Sequence, residues 1–198
     1  MSTAPKPSTC ASDQGDHMHR RSMLCLGRDF ALCAPMIGSV ALIADAARAD
    51  NQTLSAADRA FVAKVSQGGM FEVEASKVAN QKAHAQDVID VSLYEVHDHE
   101  LVGAKLLSIA GSLGVHFPSA LNVDFRQRVN RLSSLSSGKE FDDAYIKDMD
   151  VIHAIDVQAF AEEAKNGQNP ALKALAGETV IIVRRHIGAL QAVPLPVE

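Results

Sequence analysis

The sequence predicts an all-α fold, an antiparallel four-helix bundle whose second and third long helices are joined by a long connection carrying a minor helix. Apolar and small residues recur at alternating steps of three and four along four long stretches, the mark of helical seams. Ala, Leu and Val are abundant, Trp is absent and only 5% of residues are aromatic, which favours helices. The loops between the first and second and between the third and fourth stretches are very short, which forces antiparallel neighbours and two helical hairpins. With 198 residues, 47% of them apolar and 22% charged, the chain suits one globular domain with a real core and excludes a disordered or collagen-like polymer.

The first helix is expected from Ser55 to about Lys82. Phe61, Val65, Gly68, Ala75 and Ala79 form its seam and Glu72 fills the one remaining slot. Ser55 is a good N-cap, with Asp58 three residues on as in a capping box. The second helix is expected from about Ala85 to Leu113, with Val88, Ser92, Glu95, His99, Val102, Leu106, Ile109 and Leu113 in rhythm until Gly114 ends it. Val115 to Glu140 contains Pro118, several serines and Gly138, and reads as a long connection with a short amphipathic helix around Phe125 to Leu135. The third long helix is expected from Phe141, capped by Asp142, to about Lys165. Tyr145 or Ile146, Met149, His153, Val157 and Phe160 share its inner face, and Asn166-Gly167 stops it. Asn169-Pro170 opens the fourth, whose seam is Leu172, Leu175, Thr179, Ile182, His186 and Ala189, before Pro194 and Pro196.

Residues 1–49 read as a separate export segment and residues 50–198 as the bundle. His19-Arg20-Arg21-Ser22-Met23-Leu24 precedes a mostly apolar run from Phe30 to Ala44, and Ala47-Arg48-Ala49 follows it. That basic, apolar, small-residue order is an export signal with removal expected near Ala49. The paired arginines resemble a twin-arginine signal. The apolar run falls short of the roughly 20 residues a spanning helix needs, so no membrane span is expected once the segment is gone. Cys10, Cys25 and Cys33 all lie within it, which leaves disulfides no part in the bundle. From Asp50 onward 14 Lys and Arg face 20 Asp and Glu, an acidic balance that argues against a nucleic-acid partner.

Polar residues on apolar seams carry the chemical information: Glu72 on the first helix, Glu95 and His99 on the second, His153 on the third and His186 on the fourth. One histidine on such a face is usually a hydrogen-bonded core residue; four helices repeating the event point to a shared level. With both short turns placed at one end of the bundle, the helical rise puts these residues at depths of about 15 to 24 Å. Three imidazoles and a carboxylate form the ligand set of one zinc, copper or iron ion, which makes Glu72, His99, His153 and His186 the candidate metal ligands. Glu95, Asp98 and Asp150 are lesser candidates, Asp150 because it precedes His153 by three residues as in bundle-type di-iron sites. A full di-iron carboxylate centre is not written here, since Glu95 is four residues before His99 and Val183 stands before His186. His84, His97, His116, Arg126, Arg128 and Arg131 read as solvated surface.

These motifs resemble the DUF4142 family of exported bacterial proteins. Phe71-Glu72-Val73-Glu74-Ala75-Ser76-Lys77-Val78-Ala79 looks like the family's opening, and Asp98-His99, Phe141-Asp142-Asp143-Ala144-Tyr145, His153, Asn169-Pro170-Ala171-Leu172-Lys173 and Arg185-His186 match its later marks. The likeness spans nearly all of Ala56 to Ala192. It implies a ferritin-like bundle of unassigned activity, often labelled an outer-membrane protein, although the chain lacks the alternating segments of about 10 residues that build a membrane barrel. A periplasmic or envelope-associated protein is expected instead. The chain departs from the family at Ile152, where an acid often precedes the second histidine and would orient it. It departs again at Val180 and Ile181, where Leu-Pro is usual.

Three functions remain open. The first is a metal-binding protein for metal handling or redox protection. The second is a structural or envelope-stress protein whose buried His/Glu layer only sets helix register. The third is a redox enzyme with a di-iron centre, which needs at least three carboxylates within reach of the histidines. No nucleophile motif, phosphate loop or substrate-binding motif accompanies the polar seam, so no catalytic residue is named.

Overall fold

The computed structural model of the chain describes residues 54–194, so the expected export segment lies outside the described residues. Five helices follow one another: α1 Ala56–Lys82, α2 Gln86–Ser112, α3 Val123–Ser134, α4 Lys139–Asn166 and α5 Pro170–Ala192. The four long ones build the bundle, and α3 is the minor helix of the long connection. Local signals start and stop them as read. The Ser55 hydroxyl accepts from the Asp58 N–H at 3.0 Å, and the Asn169 side chain accepts from the N–H groups of Ala171 and Leu172 ahead of the last helix. After α2 the chain turns through Gly114 at a φ of 66°, which glycine adopts without strain.

Asp142 does not cap its own helix. α4 begins three residues earlier, after Gly138 at a φ of 136°. The Asp142 carboxylate instead accepts from the N–H groups of His84 and Ala85 at 3.0 and 2.9 Å, capping the start of α2 and tying α4 to the α1–α2 turn. At the other end, the Gln168 N–H between α4 and α5 donates to Asp58 in the first turn of α1. The two short turns therefore lie at opposite ends of the bundle, not at one. The connection containing α3 carries the chain back along the bundle before α4 begins, the long crossover of a ferritin-like fold.

Because of that crossover, α1 packs on α2 and α4, and α5 on α4 and α2, with every neighbouring pair antiparallel. α3 lies against α1 and touches α4. Its Arg128, expected in solvent, is half-buried: the guanidinium stands 4.2 Å from the centre of the Phe71 ring and pairs with Asp148 at 3.2 Å. No described helix is long and apolar enough to cross a membrane.

The core is divided. One apolar cluster gathers Phe71, Val91, Phe141, Tyr145, Ile152 and Leu190 towards the α1–α2 turn. The other gathers Phe61, Val65, Val102, Phe160, Leu172 and Val183 towards the α4–α5 turn. On each long helix the seam polar residues fall between the two.

Candidate metal centre

Each long helix delivers its part of the polar layer from the middle of an apolar seam. Glu72 comes from α1, Glu95, Asp98 and His99 from α2, His153 and Asp156 from α4, and His186 from α5. Glu72, Glu95 and His153 have no exposure, and His186 and His99 retain 2% and 4%. Polar groups this deep must satisfy one another or something they enclose.

Oε2 of Glu95 is the meeting point. It lies 3.1 Å from His99 Nε2, 3.2 Å from His153 Nε2 and 3.1 Å from His186 Nδ1. Those two last ring nitrogens are 3.4 Å apart, and the four residues offer ligand atoms that all fall within 4.8 Å of one another. The contacts onto Glu95 are not aligned as hydrogen bonds, which leaves both its oxygens and His99 Nε2 without a partner.

Outside this cluster two of the imidazoles donate to an acceptor. His153 Nδ1 donates to the Met149 carbonyl at 2.7 Å. His186 Nε2 donates to Asp98 Oδ2 at 2.9 Å, and Arg185 pairs with the same carboxylate. His99 Nδ1 stands 3.1 Å from Glu72 Oε2. A carbonyl and a carboxylate only accept, so His153 and His186, when neutral, keep the proton on the outer nitrogen and turn a lone pair inward. The result is two lone pairs, the unpartnered His99 Nε2 and a carboxylate oxygen facing one another, an arrangement suited to a cation between them.

Electrostatics agree with that description. Burial alone would raise Glu95, but the imidazoles of His153, His186 and His99 around it hold its carboxyl well below the usual range. Burial lowers His99. It would lower His153 too, yet the Glu95 carboxylate beside it raises that ring. Burial, then the Asp156 and Glu95 charges, push Glu72 well above the carboxylate range. Burial likewise raises Asp156 to about 6.

His99, His153 and His186 thus meet, and the structure exchanges the places expected of the two glutamates. Glu95 stands at the centre; Glu72 sits behind His99, its Oε1 3.5 Å from His153 Nε2. Asp98 stands behind His186. Asp150 is exposed and faces away, because the inner face of α4 runs through Met149, Ile152 and His153, and one further residue turns a side chain by about 100°. That same face continues to Asp156, which the sequence reading missed although it follows His153 at the seam interval. The acid absent at Ile152 is not needed, since the Met149 carbonyl orients His153.

Two openings approach the layer. A cavity of about 270 Å³ between α1 and α2 reaches Glu72, His99 and Asp156. Another of about 320 Å³ between α2 and α5 reaches Glu95 and His186 past Tyr94, Asp98 and Arg185.

Residues 44–193 match the family described as Domain of unknown function (DUF4142). No curated protein matches the chain. Among solved structures, the crystal structure of a DUF305 fragment from Deinococcus radiodurans superposes with a TM-score of 0.62 at 14% identity, over 71% of this chain and 96% of that one. At that identity the likeness concerns the fold.

Proposed function

The chain belongs to the DUF4142 family, and we propose that its bundle holds one transition-metal ion in an exported protein that handles metal. Glu95, His99, His153 and His186 are the ligands; Glu72, Asp98 and the Met149 carbonyl fix the ring orientations from outside, as partners behind metal-binding histidines do. The observation that carries this reading is the convergence of three imidazole nitrogens on Glu95 Oε2 without a directed hydrogen bond. Zinc bonds of about 2.0–2.2 Å in a tetrahedron set neighbouring ligand atoms about 3.3–3.6 Å apart, close to the 3.1–3.4 Å found for four of the six pairs among these atoms, all of which lie within 4.8 Å of one another. Imidazole and carboxylate suit zinc, copper or iron, and a bound ion there supplies the charge that the four acceptors lack.

Elemental analysis of mature protein purified without an affinity tag tests the reading, with a His99→Ala/His186→Ala variant alongside. Near-stoichiometric metal that vanishes in the variant is the expected result. Protein that carries no metal and takes up neither zinc, copper nor iron would instead have a polar layer that only sets helix register. Export is inferred from the order of charge, apolar run and small residues before Asp50. Fractionation should release a chain beginning near Asp50 with periplasmic markers, and a full-length cytoplasmic product would overturn that part.

A further inference from the structure

The polar layer contains more carboxylate than one histidine-rich centre uses. Glu72 is fully buried and neither of its oxygens has a hydrogen-bond partner. Asp156, 2% exposed, turns its carboxylate towards Glu72 from α4. Gly68 leaves room for it: a Cβ at that position would stand 3.2 and 3.3 Å from the two Asp156 oxygens. Among the described residues neither carboxylate forms an ion pair with a lysine or arginine. Two carboxylates side by side need a shared proton or a cation between them. Both also line the cavity between α1 and α2, with His99 beside them and Val65, Leu106 and Phe160 in its walls.

We propose that Glu72 and Asp156 hold a second divalent cation, bound through oxygen, beside the histidine centre and reached from the cavity between α1 and α2. The inference rests on the reading of the histidine cluster as a metal centre. Asp156 lies one turn beyond His153, about 4.5 Å along α4, so the second position is adjacent to the first and distinct from it. Its donors are carboxylate oxygens, and the cavity's volume accommodates several waters at about 30 Å³ each. Oxygen ligands with retained water suit a hard cation such as manganese or magnesium better than copper or zinc. His99 Nδ1 stands 3.1 Å from Glu72 Oε2, so a residue of the first position borders a carboxylate of the second.

The test loads the protein with one equivalent of zinc and then titrates manganese(II), reading free manganese by its electron paramagnetic resonance signal. Wild type should retain one manganese per chain. Asp156→Asn should bind it at least tenfold more weakly while its zinc content and circular dichroism stay unchanged. Glu74→Gln, at the cavity rim, should remain within twofold of wild type. Zinc-loaded wild type that retains no manganese, or Asp156→Asn that retains it as tightly, overturns the second position and leaves the first intact. Failure to take up zinc in the first step overturns the histidine centre and this inference with it.

Discussion

At Glu95 the cost of a wrong substitution is set by what surrounds one oxygen. Three ring nitrogens within 3.2 Å of Oε2 and no exposure mean that its negative charge is balanced locally or not at all. Glu95→Gln keeps the shape and removes the charge; zinc affinity, measured against a chromophoric chelator, should fall by roughly 10²-fold or more. Glu72→Gln and Asp98→Asn alter only the groups behind His99 and His186, and losses of about 10 to 100-fold are expected of such partners. Equal losses for Glu95 and Glu72 would show that both coordinate. The three histidines were legible because an imidazole on every apolar seam but one is a rare pattern. Which glutamate reaches the centre was not legible, since Glu72 and Glu95 both occupy seam slots and the choice depends on how the helices are rotated in the packed bundle. Asp156 and Asp150 differ for the same reason: both are three residues from His153, and only the phase of the buried face tells which one turns inward.

Among the elements, α4 shows how a buried charge can be tolerated far from the histidines. Near its C-terminus Glu163 is 4% exposed with Oε1 unpartnered, facing Asp58 of α1. Gly167 is required beside it, because a Cβ there would fall 2.3 Å from Glu163 Oε1. Burial, then the Asp58 charge, push Glu163 from 4.5 to about 7. The folded chain therefore keeps a proton that the unfolded chain releases, so this contribution is complete below pH 4.5 and is lost as pH rises through about 7. Glu163→Gln fixes the neutral state: urea unfolding should find the variant more stable than wild type at pH 8 by about 1–3 kcal/mol, with little difference at pH 4.5. A variant no more stable at pH 8 would mean that the carboxyl is solvated. Asp142 is the converse case, a carboxylate accepting two backbone N–H groups. Asp142→Ala should lower stability by about 1–2 kcal/mol, the usual cost of a lost cap. Helix spans were readable from periodicity to within a few residues. The targets of Asp142 and Asp58 were not, because each carboxylate reaches across the bundle to a turn whose position depends on the crossover.

Across its described residues the bundle is two apolar cores held apart by a polar layer, and this division distinguishes a metal centre from a register device. The layer is bounded by Phe71, Val91 and Ile152 on one side and Val65, Val102 and Val183 on the other, and is approached through the cavities between α1 and α2 and between α2 and α5. Without a cation the layer leaves the Glu95 and Glu72 oxygens and His99 Nε2 unpartnered; each such group costs stability. An ion that binds only the folded state adds about 4 kcal/mol at a thousandfold excess over its dissociation constant. For a domain of this size each kcal/mol moves the thermal midpoint by about 2–4 °C, so zinc at that excess should raise it by about 10 °C. The rise should disappear in the His99→Ala/His186→Ala variant, whose two apolar cores are untouched. A layer that serves register alone predicts the opposite on both counts: no response to metal in wild type, and a variant that is destabilised by the same amount whether metal or chelator is present. Calorimetry of the two proteins, each with zinc and with chelator, separates these cases because stability supplied by an ion depends on its concentration and stability supplied by packing does not.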